Sequence, residues 1–300
     1  MKPYAAILAS ALIATLPLAA QTPVDPKSPI PGYPDGRGPK GPVALKIVSP
    51  AADEVVPLPP AVGGQPAPKG ARVEVKVEVT NFETFKDEAT GRGQYVQLVL
   101  DGRLLAPWHQ VDKPWIFGAL PKGSHTLAAF LQRPWGETLR EPGAFAVATF
   151  HVGEKDAKPA FDPAQPTVTV TSPRGKISKA DAAKLLLDFW VTGCKIGPQT
   201  DPDAYQILYQ MDNKDQPRIL TAWEPVWLEN VPAGKHTFVV ALFKGELLKT
   251  PFAVSYGAVE ITDGEAPAAA PAGAPAAPPA TPQGGAAAPA APAEKAHTAG

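Results

Sequence analysis

Sulfur is nearly absent from this sequence of 300 residues. There is one cysteine, Cys194, so no disulfide can close within the chain and its cores must hold by burial alone. The thiol is expected to be buried and inert. A blue-copper centre needs a cysteine, two histidines and usually a methionine close together; Met211 is the single methionine beyond the N-terminus. Histidine is scarce too, and no two of His109, His125, His151, His236 and His297 stand at a metal-ligand spacing. No metal or other cofactor is expected. An excess of either charge is missing: Lys plus Arg number 28 against 29 Asp plus Glu, which leaves no basic footprint for nucleic acid. GxSxG, HExxH, P-loop, paired-cysteine and EF-hand patterns are all absent.

Long apolar runs are lacking as well, except at the start. MKPYAAILASALIATLPLAAQ has one Lys2, an apolar stretch from Ala5 to Leu16, and small residues before Gln21. This is the pattern of a secretory signal peptide over 1–20, cleaved after Ala20, although Leu18 fits poorly three residues before the cut. The stretch is shorter than the ~20 residues of a spanning helix, so no integral span is expected after its removal. With no cysteine near the cut, lipid attachment there is not expected. Export to the periplasm, the cell surface or the medium follows from this reading.

What is abundant is proline, 38 residues of it, much of it in two arms. Residues 21–43 are rich in Pro and Gly and poor in large apolar side chains, and the tail 263–300 is almost entirely Ala and Pro with a few Gly from Ala266 to Ala293. Neither can pack a core, and both are expected to be disordered.

Between the arms the text is that of strands. VEVKVEVT (73–80) alternates strictly, with valines on one face and Glu74, Lys76 and Glu78 on the other. Strands are also expected at 45–49, 95–102, 115–120, 125–132 and 145–152. The same order then returns. VTVTSP (168–173) echoes ALKIVSP (44–50), and Tyr205–Asp212 matches Tyr95–Asp101 with a one-residue ambiguity. GSHTLAAFL from Gly123 returns as GKHTFVVAL from Gly234, 111 residues later. A fixed offset of that length marks a duplicated domain rather than a solenoid repeat. The repeats are placed at 44–153 and 166–262, joined by a linker at 154–165. One segment conflicts with its repeat: SKADAAKLLLDFW (178–190) opens with capping-box spacing and reads as helix, whereas its partner is the valine strand. A strand from Leu185, after one helical turn at 179–183, reconciles the two.

The repeated signature is Pro121, Gly123, His125 and Thr126, with Pro232, Gly234, His236 and Thr237. Each histidine opens a strand at the edge of the core face, placed to hydrogen-bond the backbone of the preceding turn. Duplication favours a structural role, because a catalytic residue is seldom needed twice in one fold position. LPKGSHTLAAFL and VPAGKHTFVVAL resemble the phrase that recurs in bacterial immunoglobulin-like modules. The resemblance implies an all-β chain of two tandem antiparallel immunoglobulin-like β-sandwiches, with seven strands in each. Such modules occur in adhesins, envelope proteins and enzyme appendages, so the resemblance implies a fold and not a job.

Loop tryptophans are the best binding candidates. Trp108, Trp135 and Trp223 are expected either to pack over loop ends or to stack on a sugar or a partner. The function expected is that of an exported, non-catalytic binding, adhesion or spacer module, with an envelope polysaccharide or envelope protein as partner. Two alternatives stand beside it: a hydrolase or metal enzyme built from His109, Asp112 and His151, and an accessory subunit of an envelope complex.

Overall fold

A computed structural model describes residues 37–61, 63, 68–156, 161–213, 216–245 and 251–263. The expected signal peptide, most of the 21–43 arm, the tail beyond Asp263, part of the linker, and His297 lie outside these residues.

The first unit runs β1 (Ala44–Ser49), β2 (Val55–Val56), β3 (Gly70–Thr80), β4 (Tyr95–Leu100), β5 (Arg103–Trp108), β6 (Trp115–Pro121), β7 (Gly123–Gln132) and β8 (Phe145–Val152). Its two sheets have the orders β1-β3-β6 and β2-β8-β7-β4-β5. The second unit runs β9 (Thr167–Ser172), β10 (Gly175–Ser178), β11 (Lys184–Thr192), β12 (Lys195–Ile196), β13 (Ala204–Met211), β14 (Arg218–Leu220), β15 (Val226–Glu229), β16 (Gly234–Phe243) and β17 (Ala253–Thr262). Here the orders are β15-β11-β9 and β10-β17-β16-β13-β12, with β14 on β13.

In both units the first strand is broken at a Ser–Pro pair, Pro50 or Pro173, and the chain crosses to the other sheet. Proline has no N–H for the ladder, so the strand ends there. The short continuation, β2 or β10, then pairs parallel with the last strand of its unit, β8 or β17. This broken first strand, together with short extra strands such as β12, takes each unit beyond the seven strands that the resemblance implies. The strand order is that of the immunoglobulin Greek key. The chain is a tandem of immunoglobulin-like sandwiches.

The first core lies between Val73, Val75, Leu98, Leu127, Leu131 and Phe150, and the second between Leu187, Phe189, Ile207, Phe238, Leu242 and Ile261. Alternation accounts for β3: Val73 and Val75 face inward, while Glu74 and Lys76 form ion pairs at the surface. Residues 178–190 combine both of their signals. Ser178 Oγ accepts the Asp181 N–H at 3.1 Å, a 3-10 turn follows over Asp181–Ala183, and the strand begins at Lys184.

The two units pack side by side. β7 is buried along its whole length, because Ala128 and Phe130 on its outer face, with Val99 of β4, are covered by Trp190 of β11. The Phe130 and Trp190 rings stack with centroids 5.4 Å apart and planes 17° from parallel. Arg174 reinforces the contact by donating to Gln97 Oε1 (2.8 Å) and the Leu105 carbonyl (3.1 Å). Among the described residues no helix is long and apolar enough to cross a membrane.

Candidate functional site

Each repeated histidine sits in the same corner. Gly123 and Gly234 have φ of +135° and +133°, a conformation open to glycine at little cost, and they turn the chain back so that the next residues enter β7 or β16. His125 Nε2 then lies 2.8 Å from the Pro121 carbonyl and Nδ1 2.7 Å from Asp101 Oδ2; His236 meets the Pro232 carbonyl and Asp212 Oδ2 at the same distances. The other carboxylate oxygen accepts the Thr126 or Thr237 N–H. Both ring nitrogens therefore face acceptors, and the doubly protonated imidazolium suits both at once.

Burial opposes the charge on His125 and His236, but the Asp101 or Asp212 carboxylate and the proline carbonyl outweigh it and raise both pKa values above the usual 6.5. A group whose pKa is raised on folding stabilises fully below its unfolded value and loses that contribution as pH rises through its folded value. The corners are accordingly expected to weaken above about pH 6.5. His236→Gln should lower the melting temperature more at pH 5.5 than at pH 8.5, as read from melts of both proteins across that range. An equal loss at the two values would mean that the charged imidazolium adds nothing to the corner.

The residues of the alternative catalytic reading do not converge. Burial lowers the pKa of His109, whose Nδ1 lies 2.9 Å from the Phe85 carbonyl and 3.2 Å from that of Gln94, with its ring edge-on to Tyr95. His151 pairs with Ser124 on β7, while Tyr95 pairs with Gln132 on the same strand, eight residues or roughly 27 Å away at 3.4 Å each. Asp112 is exposed. Among the described residues no three of His, Cys, Asp or Glu come together in a way that could hold a metal ion.

Sequence reasoning missed a Ser–His–Asp chain. Ser124 Oγ lies 2.8 Å from His151 Nδ1, and His151 Nε2 lies 3.2 Å from Asp53 Oδ1, which also accepts Lys155 Nζ. A serine nucleophile uses Nε2 and leaves Nδ1 to the carboxylate, so the two nitrogens are exchanged here. Ser124 is buried, and its hydroxyl accepts the Asp156 N–H while its own N–H meets Asp156 Oδ2. The chain is a clip that holds the start of the linker. Lys235 and Glu260 occupy the matching positions of the second unit.

The three tryptophans have separate surroundings. Trp108 corrects the expectation of a loop ring: it ends β5 directly opposite core-facing Val96, is 5% exposed, and packs edge-on to Trp115. Trp135 is half-buried, donates to Glu137 Oε2 at 2.7 Å and lies under the Arg133 guanidinium. Trp223 is half-buried between the second core and the seam, donates to the Phe189 carbonyl at 2.9 Å and carries Arg140 over its ring. Cys194 is half-buried against the second core, and burial pushes its thiol up to about 11.

Asp188 is a carboxylate that does not lie on a wet face. It is fully buried in the seam and accepts Thr138 N–H, Thr138 Oγ1, Thr171 Oγ1 and Arg140 Nη2. The loop 133–144 that bears Trp135 thus grips the other unit.

The most exposed large apolar side chains among the described residues are Phe252 and Tyr256, at 60% and 63%. Ser255 Oγ accepts the Val170 N–H from the opposite sheet and Gly257 lies against Val170, so Tyr256 points outward. Phe252 stands edge-on to Tyr205 at 5.1 Å, and Lys244 Nζ lies 5.4 Å from the Tyr205 ring centre.

No protein-family model matches the sequence, and no curated protein matches it. Among solved structures, the fibronectin(III)-like modules of Clostridium thermocellum CbhA are similar over 72% of this chain and 92% of that one, at 15% identity and a TM-score of 0.26. The PKD domain of human KIAA0319 is similar over 36% of this chain and 88% of its own, at 16% identity and a TM-score of 0.23. Bacteroides ovatus SGBP-B, solved with a mixed-linkage heptasaccharide, is similar over 73% of this chain and 47% of that one, at 14% identity and a TM-score of 0.21. Likenesses of this size carry nothing further, and the immunoglobulin-like assignment rests on the strand order.

Proposed function

We propose that this is an exported, non-catalytic envelope protein whose two sandwiches act as one binding or spacer body, with the ligand taken at exposed loop and sheet surfaces. One observation carries it. His109, His125, His151 and His236 are all engaged in holding turns, strands or the linker, and the buried Asp188 holds the two units together. The most exposed large apolar side chains among the described residues, Phe252 and Tyr256, lie on the second unit. Export is supported by the N-terminal pattern of charged, apolar and small residues.

The test is sedimentation of the full chain with isolated cell-envelope material and insoluble polysaccharides. Saturable pelleting is expected; a folded protein that stays in the supernatant with every material would end the binding reading.

A further inference from the structure

We infer that the end of the second sandwich built by Tyr205, Phe252, Lys244 and Asp203 is a site for a neutral polysaccharide; this rests on the binding reading above and names its ligand. The platform is pre-organised. Tyr205 packs its ring on the second core, and Phe252 leans edge-on against it while remaining 60% exposed, so at least one ring face is open. Gln199 Nε2 donates to the Gly245 carbonyl at 3.0 Å and ties the two sides of this end together. Rigid rings give contact area at little entropic cost.

The polar groups beside the rings set the ligand class. Lys244 Nζ lies 3.8 Å from Asp203 Oδ1, and that carboxylate is 89% exposed. The pair offers a donor and an acceptor with no net charge. This suits hydroxyls, which both give and accept hydrogen bonds, and offers no charge excess to a phosphate or an acidic polymer. A pyranose in the β-gluco configuration has an apolar C–H face for the Phe252 ring and equatorial hydroxyls at its rim for Lys244 and Asp203. Tyr256 adds a second outward ring four residues on, about 14 Å along the strand at 3.4 Å per residue, a span that calls for an oligomer rather than a single sugar.

The site is not part of the duplicated fold. Gln132 and Phe243 occupy matching positions and pair with Tyr95 and Gln206, while Phe130 and Ala241 pair with Phe145 and Val254. This register puts Gln94 and Gly143 of the first unit where Tyr205 and Phe252 stand. Gln94 is buried and donates to the Arg37 and Glu83 carbonyls, so the first unit has no ring at this place. The histidine corners, needed by the fold, are present twice; the Tyr205–Phe252 ring pair is present once among the described residues.

The experiment is affinity electrophoresis of the full chain in gels holding hydroxyethylcellulose, xylan or, as the anionic contrast, dextran sulfate. Phe252→Ala and Tyr256→Ala run alongside, thermal melts check folding, and the envelope pelleting assay uses the same preparations. Retardation by a neutral β-glycan is expected, weakened about tenfold or more by Phe252→Ala and less by Tyr256→Ala, with melts unchanged. Retardation untouched by both substitutions would overturn this site. Envelope pelleting without any glycan retardation would overturn the ligand while leaving the binding reading standing, and pelleting lost in Phe252→Ala under those conditions would assign the rings to a protein partner instead. Absence of both retardation and pelleting would remove this proposal and the reading beneath it together.

Discussion

Arg140→Ala is expected to destabilise the folded chain by about 3–5 kcal/mol, a large effect for a residue in a loop between strands. The reason is its partner. Asp188 has no exposed side-chain surface, and Arg140 is the cation that compensates its charge. Thr138 and Thr171 would still donate to the carboxylate after the substitution, but hydroxyls and an amide do not replace a positive charge in a dry seam. Arg140→Lys should recover little. The guanidinium uses Nη1 on the Thr138 carbonyl and Nη2 on Asp188, a fork that a point charge cannot reproduce. The double variant Arg140→Ala, Asp188→Asn should be more stable than Arg140→Ala alone, because it removes the uncompensated charge along with its partner. Urea unfolding of the wild type, Arg140→Ala, Asp188→Asn and the double variant measures this cycle. A cost below about 1 kcal/mol for Arg140→Ala would place Asp188 in water and the pair at the surface.

The same seam marks the limit of what the sequence made legible. The valine strand declares itself by alternation, since one face of β3 is wet and carries Glu74 and Lys76. Its counterpart β11 does not, because Leu185, Leu187, Phe189 and Val191 fill the second core while Leu186, Asp188 and Trp190 lie buried on the other side. A strand dry on both faces loses its period of two, and LLLDFW then reads as readily as helix. Duplication supplied the strand that local pattern could not.

The carboxylate half of the histidine corner had a signal of its own. Asp101 precedes His125 by 24 residues and Asp212 precedes His236 by the same 24, each closing a strand that ends in a tight turn at positive φ. Fixing the offset on those aspartates also settles the alignment: Tyr95 matches Gln206 rather than Tyr205. Phe252 and Tyr205 had no such mark. They lie 47 residues apart and are brought together by the pairing of β13 and β17 with β16, a contact that neither composition nor periodicity encodes.

Trp190→Ala separates the two roles of burial in this chain. Trp190 is 1% exposed, yet it belongs to neither core; its ring is buried by Phe130, Val99 and Ala128 of the first unit. Truncating a buried tryptophan costs about 3–5 kcal/mol, here taken almost wholly from the contact between units. Phe238→Ala, inside the second core, should cost a similar amount but weaken that unit alone. Calorimetry tells them apart: wild type should melt as one coupled transition, and Trp190→Ala as two, with a larger radius of gyration in solution scattering before either. Trp190→Phe sharpens the point. The indole N–H is buried without a hydrogen-bond partner, so a phenyl ring keeps the stack on Phe130 while removing an unpaired donor. It should cost less than about 1.5 kcal/mol and preserve the single transition. One transition in Trp190→Ala, with little loss of stability, would mean that Trp190 does not couple the sandwiches, whereas two transitions already in the wild type would mean that they are independent in solution and that a ligand surface on the second unit acts without the first.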